Sequence, residues 1–215
     1  MSNASVQVSR GRPKDDVKRS AILEAARHLF MAQPFDRVSV EAIATEAGVS
    51  KVTVYSHFPG GKEEVFVAAI SAGCAAMFEG AFVAIDSGAD LEAALAQLGA
   101  DFVAMITSKE VSALHGIMLG EGGRHPALPR MFYESAVRRM TLELAERLRR
   151  EADRGVIACP DPELAAEQFL AMVQGQIVYR IELGVGETPE PDRRRYAEAC
   201  AALFMRGHRV DGSGC

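Results

Sequence analysis

The chain has 215 residues, 48% of them hydrophobic and 25% charged, which suits a substantial core and exceeds the length of a bare recognition module. Its 24 Lys/Arg and 29 Asp/Glu leave a net charge of −5, which by itself argues against a nucleic-acid partner. The distribution argues the other way, because residues 1–62 hold nine basic against six acidic side chains and the acidic excess lies entirely in the remainder. A basic front on an acidic body orients a molecule in the field of a polyanion. The four cysteines, Cys74, Cys159, Cys200 and Cys215, make no redox or metal-binding spacing and read as thiols of a reducing compartment. No apolar run reaches membrane-spanning length and no signal-peptide pattern opens the chain, so a soluble cytoplasmic protein is expected.

Residues 1–13 are polar and broken by Gly11 and Pro13, and they predict a flexible basic arm. Arg10 and Arg12 lie on it and Lys14 at its junction with the first helix; such arms follow a phosphate strand or enter a narrow minor groove. A small domain over 14–61 follows. Its first helix, 14–31, has Ile22, Ala26, Leu29 and Phe30 on a buried stripe and ends at Gln33-Pro34-Phe35. Ser39 reads as the N-cap of a second helix, 40–47, whose Val40, Ile43, Ala44 and Ala47 recur at one-sided helical spacing. A serine at a helix start can also bond a phosphate.

Gly48 supplies the permissive backbone for a tight turn, and Ser50 caps a third helix, 51–57, with Val54 and Phe58 facing inward. Its outer face carries Lys51, Val52, Thr53, Tyr55, Ser56 and His57. These groups suit phosphates and major-groove base edges. Lys51 matches guanine O6/N7, Val52 a thymine methyl, and Tyr55 a base edge or a phosphate. Thr53, Ser56 and His57 are expected to hold the backbone, joined by Lys62 beyond the turn.

The run GVSKVTVYSHFPGGKEEVF resembles the helix-turn-helix signature of TetR-type bacterial transcriptional regulators, and the likeness extends over about residues 10–70. It implies a three-helix head that places its last helix in the major groove. Two departures stand out. Val52 replaces the Gly or small residue frequent in the family, and PGG adds one residue ahead of Lys62.

Residues 62–210 predict only helices, over 62–85, 91–107, 109–119, 129–153, 162–183 and 191–206. The chain is broken by GEGGRHPALP at 120–129, and Asp161-Pro162-Glu163 is a strong helix start. The segment 111–183 resembles the AefR-like C-terminal region of some TetR regulators. The expected fold is therefore all-α: a helix-turn-helix head plus a larger helical ligand-binding and dimerisation domain, about nine helices in total. Helix 62–85 is the only evident connector between them.

The resemblance implies a homodimer through the last two long helices and a sensor cavity within the body. Candidate lining residues are Phe102, Met105, Ile106, Leu114, Ile117, Met118, Phe132, Met140, Phe169, Met172 and Gln176, with His115, Arg124, His125 and Tyr133 as polar contacts. The sequence contains no GxSxG elbow, phosphate loop, HExxH or dinucleotide fingerprint, so neither catalysis nor a cofactor or metal is expected. The expected function is a repressor that binds a pseudo-palindromic double-stranded operator as a homodimer and responds to a small apolar or amphipathic effector. The alternative is a constitutive or architectural DNA-binding protein without an effector.

Overall fold

The computed structural model describes residues 12–108, 111, 116, 123, 125–185 and 189–210. Every element in them is helical, and the chain divides into two compact units, Met1–Ile70 and Ser71–Cys215.

The first unit holds α1 (Arg12–Ala32), a 3-10 turn (Phe35–Arg37), α2 (Val40–Glu46), α3 (Lys51–His57) and the opening of α4 (Gly61–Asp86). Apolar spacing explains its core: Ile22, Ala26 and Phe30 of α1, Ile43 and Ala44 of α2, Val54 of α3 and Val65 and Phe66 of α4 are all buried. Phe30, Phe35 and Phe66 close one end as a ring cluster, with centroids 4.7 to 5.6 Å apart. The turn between α2 and α3 is set by Gly48 at φ +65°. The Val49 amide returns to the Ala44 carbonyl at 2.9 Å and the Gly48 amide to Thr45 at 3.2 Å, so the last carbonyls of α2 are satisfied before the chain reverses.

One sequence expectation is corrected here. Arg12 belongs to the first turn of α1 rather than to a loose arm, and Lys14 lies in the same turn, at the helix start expected for it. Pro13 does not break the helix, because a first-turn residue has no intrahelical acceptor for the N–H that proline lacks. Arg10 lies outside the described residues.

The second unit continues α4 from Ser71 and adds α5 (Leu91–Ile106), α6 (Ala127–Phe132), α7 (Arg139–Asp153), α8 (Pro162–Gln174), α9 (Ile177–Glu182) and α10 (Glu190–Gly207). Asp90 and Asp161 cap α5 and α8 by accepting from the amides of Glu92 and Leu164. The core runs through Phe78, Phe82, Leu95, Leu98, Leu144, Leu148, Phe169 and Phe204. Helix α5 lies close against α10 because Gly99 has no side chain; a Cβ there would meet Ala197 Cβ at 3.1 Å and Val173 Cγ2 at 3.3 Å. At the far end of α4, Asp86 accepts from Arg147 at 3.1 Å and Arg150 at 2.8 Å, tying α4 to α7.

Two predicted helices prove to be interrupted. The one expected over 129–153 starts earlier, at Ala127, and contains a π-helical turn, Tyr133–Arg138, between α6 and α7. The one expected over 162–183 breaks at Gly175, whose φ of +49° only glycine adopts readily. A side chain at Gly175 would also strike the Tyr196 hydroxyl, 2.6 Å from the ideal Cβ position. That hydroxyl donates to the Met172 carbonyl at 3.1 Å. The helix expected over 109–119 lies almost wholly outside the described residues. Among the described residues no single helix is long and apolar enough to cross a membrane.

Candidate nucleic-acid interface and apolar cavity

Helix α3 is held in the first unit by Val54 and Phe58, which are fully buried, and by the Ser50 cap, whose hydroxyl accepts from the Thr53 amide at 3.1 Å. What remains outward is a short face whose apolar members are conspicuous. Val52 is 77% exposed and Tyr55 43% exposed, which costs free energy in water unless something covers them. Lys51 pairs with Glu41 of α2 and lies 5.9 Å from the centroid of the Tyr55 ring. The hydrogen bond between them holds the Glu41 carboxyl below its ordinary range and the Lys51 ammonium above its own.

The other predicted contacts divide. Ser39 spends its hydroxyl oxygen on the Ala42 amide at 3.1 Å, capping α2. Ser56 donates to the Thr53 carbonyl at 2.8 Å, and the Thr53 hydroxyl meets Ser50 at 2.8 Å. All three are exposed or half-buried and keep further hydrogen-bonding capacity. The His57 side chain is only 10% exposed, turned toward Asp15 with Nε2 3.3 Å from Oδ1. Lys62 points into the unit: its Nζ donates to the Phe35 carbonyl at 3.1 Å and sits 4.2 Å over the Phe35 ring. The geometry thus brings Lys51, Val52, Tyr55, Ser56 and the α2 cap onto the outside, and directs His57 and Lys62 inward. Arg12 and Lys14 precede them on α1.

The second unit contains a cavity of about 390 Å³. Five predicted lining residues meet there: Phe102, Met105 and Ile106 from α5, Phe132 from α6 and Met140 from α7. Helix α4 supplies a wall the sequence reading did not assign, made of Ser71, Cys74, Ala75, Phe78 and Phe82. Helix α8 contributes Glu167, Leu170, Ala171 and Gln174. The predicted α8 residues lie elsewhere. Phe169 is fully buried edge-on to Phe204 at 5.4 Å, Met172 packs on the core, and Gln176 is exposed beyond the Gly175 break. Phe169 and Met172 each fall about 100° from the cavity-facing stripe, a rotation of one residue that periodicity could not phase. Tyr133 is exposed and His125 half-buried, and neither lines the cavity. Leu114, Ile117, Met118, His115 and Arg124 lie outside the described residues.

The cavity's polarity is local. Ser71 and Ser135 hydroxyls meet at 3.0 Å, and Ser135 also reaches the Met131 carbonyl at 2.6 Å. Arg139 is occupied by Glu143 at 2.8 Å. The π-helical turn carries Ser135, Ala136 and Val137 into the lining, as such turns often do at functional sites. Burial pushes the Cys74 thiol above its usual range, so it faces the cavity as a neutral group at physiological pH. A largely apolar chamber of this size with a few hydroxyls is what a drug-sized amphipathic ligand requires. Among the described residues, no group of three or more His, Cys, Asp or Glu is placed to hold a metal ion.

Residues 22–69 match the model of bacterial regulatory proteins, tetR family, and residues 93–209 match the C-terminal domain of AefR-like transcriptional repressors. Over 50 residues the chain is 48% identical to the uncharacterized HTH-type transcriptional regulator YdeS of Bacillus subtilis (strain 168), covering 23% of this chain and 25% of that one. Over 59 residues it is 39% identical to the HTH-type transcriptional regulator EthR of Mycolicibacterium smegmatis, covering 27% of each. The likeness thus spans about a quarter of those curated relatives. Solved structures match along nearly the whole length. A TetR-family transcriptional regulator from Mesorhizobium loti superposes with a TM-score of 0.73 at 27% identity, over 93% of this chain and 100% of that one. The flavonoid-responsive regulator FrrA gives 0.65 at 30% identity, over 91% and 98%.

Proposed function

Because the chain belongs to the TetR family of bacterial transcriptional regulators, we propose that it is a homodimeric repressor that releases its operator when a small amphipathic molecule fills the 390 Å³ cavity. The observation that carries this reading is the double duty of α4. Its first residues, Val65 and Phe66, belong to the core of the DNA-binding head, and its later ones, Ser71 to Phe82, form a cavity wall. A ligand that displaces that wall acts on the same helix whose opening seats the head. It must favour a conformer whose heads fit the operator poorly, since equal affinity for both conformers shifts nothing. A coupling of about 1–3 kcal/mol changes operator affinity by roughly 5- to 150-fold.

On the reading face, Lys51, Val52 and Tyr55 make the base contacts, and Ser39, Thr53 and Ser56 hold phosphates. Arg10, Arg12 and Lys14 extend that grip along the backbone. Two-fold pairing presents two such faces to a pseudo-palindrome. Support for pairing through α8 to α10 comes from their exposed apolar side chains, Leu164, Tyr179, Leu183, Tyr196 and Leu203.

The cavity's own chemistry narrows the effector. Among the described residues the one lining arginine, Arg139, is paired with Glu143, while the Ser71–Ser135 pair offers a hydroxyl site at the wall. That favours a neutral ring-bearing molecule with hydroxyl or carbonyl groups over a carboxylate. The flavonoid-responsive character of FrrA makes hydroxylated aromatics the first class to test. The experiment selects a duplex from a random pool with the purified chain, then measures operator affinity against a panel of flavonoids, with Ala136→Phe as a cavity-filled variant. The expected result is a loss of affinity that Ala136→Phe abolishes. Should compounds bind the cavity without changing operator affinity, the constitutive reading replaces this one.

A further inference from the structure

We propose that Glu41 is a specificity-determining positioning residue: it holds the Lys51 ammonium at a fixed place on the reading face and penalises binding to the wrong sequence. The inference rests on the proposed reading role of α3 and goes beyond it, because Glu41 lies on α2 and is not itself a contact. Three observations converge. The Glu41 carboxylate pairs with Lys51 across the two helices. The Tyr55 ring lies 5.9 Å from the same ammonium, on the recognition helix itself. Glu41 sits one residue past the start of α2, in the first turn capped by Ser39, where the positive end of the helix already suits an anion.

The pair has little to do for folding. Both side chains are at least half exposed, and exposed ion pairs contribute little to stability. Yet a free lysine at that position would serve a DNA-binding surface better for raw affinity, since a carboxylate near phosphates repels them. The arrangement makes sense as discrimination. An ammonium has three donors, so Lys51 can keep Glu41 and still donate to guanine O6 or N7. Held this way it is directed toward a base edge. A phosphate that approaches Lys51 on a non-cognate duplex also approaches the Glu41 carboxylate and is repelled by it, whether the pair holds or breaks.

The test uses the full chain, a duplex it selects from a random pool, and a shuffled duplex of equal length, titrated at one salt concentration. Glu41→Gln is compared with Glu24→Gln, which removes the same charge from the same unit at a similarly exposed site, where the carboxylate pairs with Arg27 instead. Glu41→Gln is expected to raise affinity for the shuffled duplex by about fivefold, the scale of one close charge pair in water, while affinity for the selected duplex stays level or falls. Discrimination is lost chiefly at one base-pair position per half-site. Glu24→Gln shifts both duplexes by a common factor. In a Lys51→Gln background, Glu41→Gln no longer changes the ratio. If Glu41→Gln and Glu24→Gln behave alike, or if the ratio still changes without Lys51, Glu41 acts as bulk charge and the inference falls, while the regulator reading stands. If the unaltered chain selects no sequence, that reading fails first and takes the inference with it.

Discussion

Lys62 offers a direct trial of how the head is assembled, because it was expected on phosphates and instead turns inward. Its Nζ donates to the Phe35 carbonyl at 3.1 Å and lies 4.2 Å over a ring that is almost wholly buried. Lys62→Met keeps the stem and removes the charge. A hydrogen bond to a charged group contributes about 1.5–3 kcal/mol, and the lower end applies because the Phe35 carbonyl retains the Val38 amide at 3.2 Å and is not orphaned. The cation over the ring adds about 0.5 kcal/mol at a half-exposed site. We therefore expect Lys62→Met to lower the unfolding free energy by about 2 kcal/mol. Urea denaturation of the full chain measures it, with Lys51→Met as the control. The second readout is the salt dependence of DNA binding, where each phosphate contact contributes a slope of about 0.9. Lys62→Met should leave that slope alone. A variant as stable as the parent, with a slope shallower by one contact, would refute the inward clamp and return Lys62 to the DNA.

Other expectations follow from the same geometry. Tyr55→Ala should abolish sequence preference while leaving helicity and self-association intact, as anisotropy and circular dichroism on the same preparations would show. Removing residues 1–11 should weaken DNA binding and flatten its salt dependence; an unchanged slope would make that segment a bystander. Leu203→Glu places a charge on the exposed apolar face of α10 and should convert a dimer to a monomer in sedimentation, since a buried unpaired charge is costly. Cys74 should resist alkylation at pH 8, with peptide mapping showing its modification rise only as pH climbs through its raised value. The sign follows from the neutral form being favoured in the folded state: the thiol's contribution to stability is full below the ordinary thiol range and is lost as pH rises through the raised one.

The head was almost fully legible because its signals are local. Gly48, the two serine caps and the spacing of Val54 and Phe58 each act within a few residues, and α3 runs over the residues the pattern marked. The inward turn of Lys62 was not legible, since its acceptor lies 27 residues earlier and belongs to a carbonyl, which leaves no sequence trace. In the body, periodicity located the helices but not their phase about the cavity. Phe102, Met105 and Ile106 line it while Phe169 does not, and Phe, Met and Ile are interchangeable to any hydrophobicity pattern. The contribution of α4 was missed because Ser71, Cys74 and Ala75 are small and unremarkable in sequence. Gly175 carried a usable signal, a glycine inside a predicted helix, that deserved reading as a break.

The π-helical stretch at Tyr133–Arg138 has a consequence for how this scaffold can change. A π turn accommodates one residue more than the α geometry around it, so deleting a single residue there should let the stretch relax to ordinary helix. Leu128 on one side and Leu144 and Leu148 on the other would keep their seats in the core. Only the chamber's lining, at Ser135, Ala136 and Val137, would be re-dealt. A one-codon change in length at this point is thus a low-cost route to a differently shaped chamber, open without refounding the fold around it.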